Sequence, residues 1–439
     1  MNERSVSVNG ISIYSLTNPN LRSFCLSLYV RAGSIFEDSS NNGISHIFEH
    51  VVFRNLKDKY ENFYELIATH GLSLRGCTYK EFVRFTIDGP RHEFDFAVGI
   101  LCSLFDEIKL TSHDFNNEKG RIKAEIREKD ERNSLDFYFD GIVWRNSEAK
   151  RTVLGYCKTI DRVSVKRINE FRQKVLSAGN CFVYATGNIS DKNLDALNKK
   201  ISELDISQSN PGFTNTVTVN DEFFHREKKI WIKNNYWHYI QIGFDVDCSK
   251  YPGGVYDLLY ALLFNGDKAL VYNYLSEDNP IIYSYDSTFE QYDNVGNINF
   301  SFEVDRNKIE DVFKTVVELL NAAKDGRFNF EANLNYEMFN WELDLDNPDN
   351  LNWNMAYYNH ILKTQPIDYS DEFYGRFRVT KEQIIDAAKY IFRRCNMTVA
   401  VKGDRKKINA EAIEKFWNPL IKCPHMHSKK PSSENLLLG

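Results

Sequence analysis

Two hydrophobic periods alternate along this chain. In SVNGISIYSL apolar residues recur at every second position, which predicts a strand with a turn at Asn9-Gly10. SFCLSLYVRAG reads as a second strand, with Leu26, Leu28 and Val30 on one face. NNGISHIFEHVVFRNL changes to a helical period carried by Ile44, Ile47, Val51 and Val52, with Ser45 or Asn42 as cap. A further helix, KYENFYELIATHG, stops at Gly71, a natural residue for a helix C-terminus. The pattern then predicts strands at 72–79 and 82–88 and helices over about 92–108 and 114–132. RVSVKRINEFRQKVL is helical, and NCFVYATGNI is a strand closed by a Gly-Asn turn.

Residues 205–221, rich in Ser, Asn, Thr, Pro and Gly, read as a domain boundary, after which the order of elements restarts. A strand is expected over 228–246, helices over 251–264 and 267–277, strands over 281–290 and 295–304, and helices over 306–323 and 329–343. The restart has a register. Residues 83–105 lie over 298–320 without a gap, at an offset of 298 − 83 = 215. Phe85 then meets Phe300, Ile87 meets Phe302, Phe94 meets Ile309, Leu101 meets Val316, and Phe115 meets Phe330. Two copies of one α/β unit, each of roughly 200 residues, are expected. The offset also exposes an asymmetry: His46 to His50 falls on Ala261-Leu262-Leu263-Phe264-Asn265. The second copy manages without the polar cluster, so packing alone does not explain it.

Size and charge narrow the class. A chain of 439 residues is too long for one core, and two to four domain-sized units are expected. The 42% hydrophobic and 26% charged content is that of a soluble globular protein. A net charge of −6 and a pI near 6.0 give no basic footprint for nucleic acid. No apolar leader core opens the chain, and no apolar run is long enough to span a membrane. The eight cysteines form no CxxC pair and are expected as reduced, buried thiols of a cytoplasmic protein. The 31 Phe and 24 Tyr are assigned mainly to cores, with some free to line a groove for an extended chain.

The polar cluster is where chemistry concentrates. Residues i and i+4 of a helix share a face, so His46 and His50 can present two imidazoles to one ion, with Glu49 beside them. Two histidines and a glutamate on an apolar helix are costly without a strong partner, and a divalent metal supplies one. A catalytic zinc needs a third protein ligand. Glu118 and Glu125, two helical turns apart, are candidates, and Glu125 has the more apolar context.

His46-x-x-Glu49-His50 is the inverted zinc motif H-x-x-E-H. With RAGSIFEDSSNNGISHIFEHVVF around it and RTVLGYCKTIDRVSVKRINEFRQKVLSAGNCFVYATGNI downstream, the chain resembles the M16 family of zinc metallopeptidases over roughly 5–425. The resemblance implies an α+β fold of two homologous α/β domains, each a mostly antiparallel sheet flanked by helices. It places the domains at 1–208 (catalytic, with zinc) and 223–425 (without the metal site), joined by a linker at 209–222 and followed by a disordered tail at 426–439. The family's third ligand is a glutamate some 75 residues downstream, which here is Glu125, since 125 − 50 = 75. Zn2+ is then held by His46, His50 and Glu125, Glu49 acts as general base, and Glu118 stands behind the ligands and orients them. An extended peptide is implied along 72–80, an edge strand.

Two departures bear on the partner. Arg75-Gly76 stands where the family carries Asn-Ala against the substrate, which predicts a preference for acidic residues in it. Of the arginine and tyrosine that hold substrate in the second half, Tyr283 is present, but Ser276 takes the arginine's place. A zinc endopeptidase acting on peptides or short unfolded segments is therefore expected. It would process or remove the leader of a small ribosomally made peptide, paired with a second, non-catalytic M16-like subunit, or else as a homodimer. The alternative is a non-catalytic, peptide-binding scaffold. His70 and His92 are expected to be structural or exposed, and His425 and His427 lie in the polar tail.

Overall fold

The Asn9-Gly10 turn takes up positive φ at both positions (52° and 75°), the geometry that lets a two-residue loop follow the strand twist. It joins β1 (Arg4–Val8) to β2 (Ile11–Thr17). With β3 (Ser23–Val30), β4 (Ser73–Thr78), β5 (Val83–Pro90) and β6 (Cys181–Gly187), these form a six-stranded sheet in the order β1-β2-β6-β3-β5-β4. β7 (Lys228–Lys233), β8 (His238–Asp247), β9 (Tyr285–Tyr292), β10 (Val295–Val304) and β11 (Met397–Gly403) form a second sheet, β7-β11-β8-β10-β9. The structure is a computed structural model. It describes residues 2–129, 135–145, 147–213, 217, 228–233 (backbone), 238–305, 307–363, 366–369 and 376–403. Most of the expected linker and all of the expected tail, with His425 and His427, lie outside them.

The two sheets repeat one another. In each, one pair is parallel (β2 with β6, β7 with β11) and every other pair antiparallel. The helix Phe94–Ser103 after β5 and the helix Ile309–Asp325 after β10 begin 309 − 94 = 215 residues apart, the offset of the repeat. The fold is α+β, with two sheets of matching strand order flanked by helices, as expected.

Two expectations shift. The strand over 228–246 is two strands, β7 and β8, and the helix over 267–277 is a short turn, Leu270–Tyr272, continued as a π-turn over Asn273–Glu277. Cys25, Cys77, Cys102, Cys157, Cys181 and Cys248 are free thiols. The expectation of reduced cysteines fails at Cys395, which is disulfide-bonded.

The compact units are not the contiguous halves 1–208 and 223–425. Unit 1 takes in 1–131, 146–216 and 341–372; unit 2 takes in 132–145, 217–340 and 373–439. The reason is coverage of sheet faces. In unit 1 the helix Ile44–Lys59 covers one face, with Phe48 edge-on to Phe85. The strand alternation turns the neighbouring Tyr29 and Arg84 to the other face. There the helix Pro348–Ala356 covers them, burying Leu351, Asn352 and Met355. Tyr29 Oη donates to Asn352 Oδ1 (2.9 Å), Asn352 Nδ2 to the Tyr184 carbonyl (2.9 Å), and Thr186 Oγ1 to the Pro348 carbonyl (2.7 Å). In unit 2 the helix Leu135–Val143 buries Leu135, Phe139 and Val143 in the same way, and Phe139 comes close to Gly243 of β8.

Candidate metal centre

The helix Ile44–Lys59 carries the histidines, and its start is anchored by a residue seven positions upstream of it. Glu37, almost fully buried, accepts the Gly43 N–H (2.7 Å) and Asn42 Nδ2 (2.8 Å) on Oε2 and the Ser45 N–H (2.9 Å) on Oε1. The Gly43 and Ser45 N–H groups are among the donors that a helix N-terminus leaves unpaired, and the Asn42 side-chain amide adds a third bond. Ser45 Oγ and Asn42 are thus not the caps; Ser45 Oγ instead accepts the Gly33 N–H at 2.8 Å. Gly43 has φ 94° and lies so close to Gly155 and Leu154 that a Cβ would meet both at 2.9 Å, which ties the helix start to the Leu154-Gly155 turn. Ile47, Phe48 and Val51 face the core, and His46, Glu49 and His50 face the helix Ser112–Lys129.

The three expected ligands come together. Glu125 Oε2 lies 3.6 Å from His46 Nε2 and 3.8 Å from His50 Nε2, and the imidazoles are nearly perpendicular, with centroids 4.7 Å apart. A tetrahedral zinc with bonds of about 2.0–2.1 Å sets its ligand atoms about 3.3 Å apart; the two distances from Glu125 are close to that, and all three ligand atoms lie within 4.8 Å of one another. The donor set, two imidazoles and a carboxylate, is one that zinc takes. Glu118, 4% exposed, places Oε2 3.9 Å from His50 Nδ1, on the side of the ring away from Glu125, and its Oε1 accepts from Arg121 at 2.9 Å. It is thus placed to orient His50.

Burial sets the protonation states. It pushes the His46 pKa down to about 4, with the neighbouring His50 adding to the effect, and it lowers His50 as well. Both imidazoles are therefore neutral near pH 7, the form that donates a lone pair to a metal. Burial, helped by Glu125, raises Glu49 to about 7, where a carboxylate can both take and return a proton.

Strand β4 borders the centre and pairs only with β5, so its other edge is free among the described residues. Gly76 faces Glu49: a Cβ there would collide with Glu49 Oε1 and the Phe53 ring. Arg75 points to the opposite face, where its guanidinium binds Asp88 and, at 2.9 Å, Asp349. With two carboxylates on it, Arg75 has no free charge for an acidic substrate residue. Tyr283 lies in unit 2, 97% exposed. An open recess of about 360 Å³ adjoins Glu49 and His50, walled by Phe53, Phe63, Ile67 and Leu74, with Lys57 and Tyr64 also lining it. Cys25, Asp88 and Asp349 also cluster at metal-ligand distances, but the two aspartates are taken up by Arg75 and Arg84. His70 Nδ1 bonds Glu93 at 2.7 Å, a structural contact, and His92 is exposed.

Sequence reasoning missed Glu37 and Asp349. Glu37 carried a faint signal, an acid just upstream of a helix start that lacks a good cap. Asp349 carried none, because it meets Arg75 across 274 residues.

Comparison with known proteins places the chain in a family. The family model "Insulinase (Peptidase family M16)" matches residues 13–155, and "Peptidase M16 inactive domain" matches 162–332. The fold is that of a two-domain α+β protein, and the chain belongs to the M16 peptidase family, which includes zinc proteases. It is 21% identical over 333 residues to the uncharacterized zinc protease YmxG of Bacillus subtilis, covering 74% of this chain and 79% of that one. It is 28% identical over 167 residues to the mitochondrial-processing peptidase subunit beta of Rattus norvegicus, 37% of this chain and 34% of the relative. A protease from Helicobacter pylori has the same fold, with a TM-score of 0.81 at 18% identity over 92% of this chain and 99% of the other.

Proposed function

We propose that this chain is a zinc-dependent endopeptidase that cleaves peptides or short unfolded segments. The observation that carries the reading is the convergence of His46, His50 and Glu125 beside Glu49, under an edge strand with an open side. His46, His50 and Glu125 would hold the ion, which when bound polarises a peptide carbonyl and makes water more acidic. The extended substrate pairs with the free edge of β4, its backbone running past Gly76, where no side chain separates it from Glu49. Glu49 takes a proton from the attacking water at its carboxylate oxygen and returns it to the leaving amine. Glu118 holds His50 in place. The recess beside Glu49 offers an apolar seat for a substrate side chain next to the cleaved bond.

The wider setting we infer is maturation of a small ribosomally made peptide in the cytoplasm, together with a second M16-like subunit. Ser276 at the place of the family's arginine motivates the partner, with Tyr283 left to serve the clamp alone. No helix among the described residues is long and apolar enough to cross a membrane.

The test compares wild type with Glu49→Gln. About one zinc per chain is expected in both, with hydrolysis of an unfolded peptide in wild type alone, in the presence of the partner if one is required. Zinc-free purified protein that takes up none on titration would favour the peptide-binding scaffold instead. Activity of the purified chain as a homodimer would remove the partner from the reading.

A further inference from the structure

Strand β4 is held from both faces, and the two contacts sit one residue apart. On the near face the backbone at Gly76 lies against Glu49 with no room for a Cβ, so any movement of the strand at this point is felt by the carboxylate. On the far face Arg75 donates to Asp88 of β5 and to Asp349 Oδ2 at 2.9 Å. Asp349 is itself fixed. Its Oδ1 accepts from Arg84 at 2.6 Å, and Arg84 also reaches Asn352 Oδ1 at 3.1 Å, within the buried network that docks the helix Pro348–Ala356 on the sheet. Asp88 lies on β5, the strand that β4 already pairs with. Asp349 instead comes from a segment remote in sequence and ties the edge strand to an anchored helix.

We propose that Asp349 is a positioning residue for the centre: through Arg75 it sets the height of β4 over Glu49 and keeps the strand's free edge straight for an incoming peptide. The catalytic consequence rests on the endopeptidase reading above; the structural one does not. Arg75 is about half exposed, so its ion pairs add little to global stability. A positioning effect is therefore separable from unfolding.

The test uses Arg75→Ala, Asp349→Ala and the double variant of the full chain. Arg75→Ala leaves the Arg84–Asp349 pair intact and carries the test should Asp349→Ala fail to fold. Amide exchange over residues 73–78 should rise roughly tenfold while β3 is unchanged. Because β4 both receives the peptide and abuts Glu49, KM for an extended peptide should rise and kcat should fall, each severalfold, and the double variant should be no worse than the worse single one. Unchanged exchange at 73–78 in Arg75→Ala, or effects that simply add in the double variant, would overturn the proposal. A wild type that hydrolyses nothing even with its partner subunit present would instead sink the endopeptidase reading, and the exchange comparison would still decide whether Asp349 positions β4.

Discussion

His46 and Glu49 stand three residues apart and are shifted in opposite directions by the same burial. His46 falls from 6.5 to about 4 and Glu49 rises from 4.5 to about 7. In metal-free protein, the unfolded chain protonates His46 at a pH where the folded chain does not, so its contribution to stability is lost as pH falls from 6.5 toward about 4. For Glu49 the folded state keeps the proton longer, and stability is lost as pH rises from 4.5 toward about 7. Single variants separate the two. In chelator-treated protein followed by thermal melts, His46→Gln should gain Tm relative to wild type as pH is lowered, and Glu49→Gln should gain as pH is raised. The residue types and spacing of His46, Glu49 and His50 were legible in the sequence, because one helix face brings them together by local geometry. The more apolar context of Glu125 pointed to it over Glu118 only weakly, and the choice rested on resemblance. The structure gives the physical distinction: Glu125 faces the two Nε2 atoms, and Glu118 faces the back of His50.

At the scale of elements, the helix Ile44–Lys59 depends on an acid outside it. Glu37 is almost fully buried and its carboxylate takes three N–H donors, two of them from the helix backbone at its start. Glu37→Ala removes these acceptors and leaves buried donors unpaired. It should lower stability by about 2–4 kcal/mol in denaturant unfolding and weaken zinc binding along with it. Most strands and long helices of the first unit followed from periodicity to within a few residues, as with β4, β5 and the helix Ser112–Lys129. The helix start was misjudged because its cap is neither adjacent nor of the usual Ser or Asn type. The break between β7 and β8 was missed because both strands are apolar enough to read as one.

For the whole molecule, the repeat at 215 residues resolves into two sheets of matching strand order, and the departure from contiguous halves becomes testable. A chain ended after residue 208 would keep all six strands of the first sheet but lose the helix Pro348–Ala356. Tyr29, Tyr184 and Arg84 would then be uncovered, and Arg84 would lose its carboxylate partner. Such a fragment should be insoluble, or should melt without the cooperative transition of the full chain in calorimetry. A cooperatively folding 1–208 fragment would show that the segment 341–372 is dispensable to unit 1.

The sequence by itself determined what local geometry controls: the alternation that makes the strands, the helix face that groups two histidines and a glutamate, and the repeat that leaves this cluster in one copy only. Tertiary structure decided what depends on residues far apart along the chain. It set Glu125 against both imidazoles, Glu37 under the helix start, Gly76 against Glu49, and Asp349 on Arg75. Such pairings leave no periodic trace, because each is one contact made when a sheet face must be covered and a buried charge must find its partner.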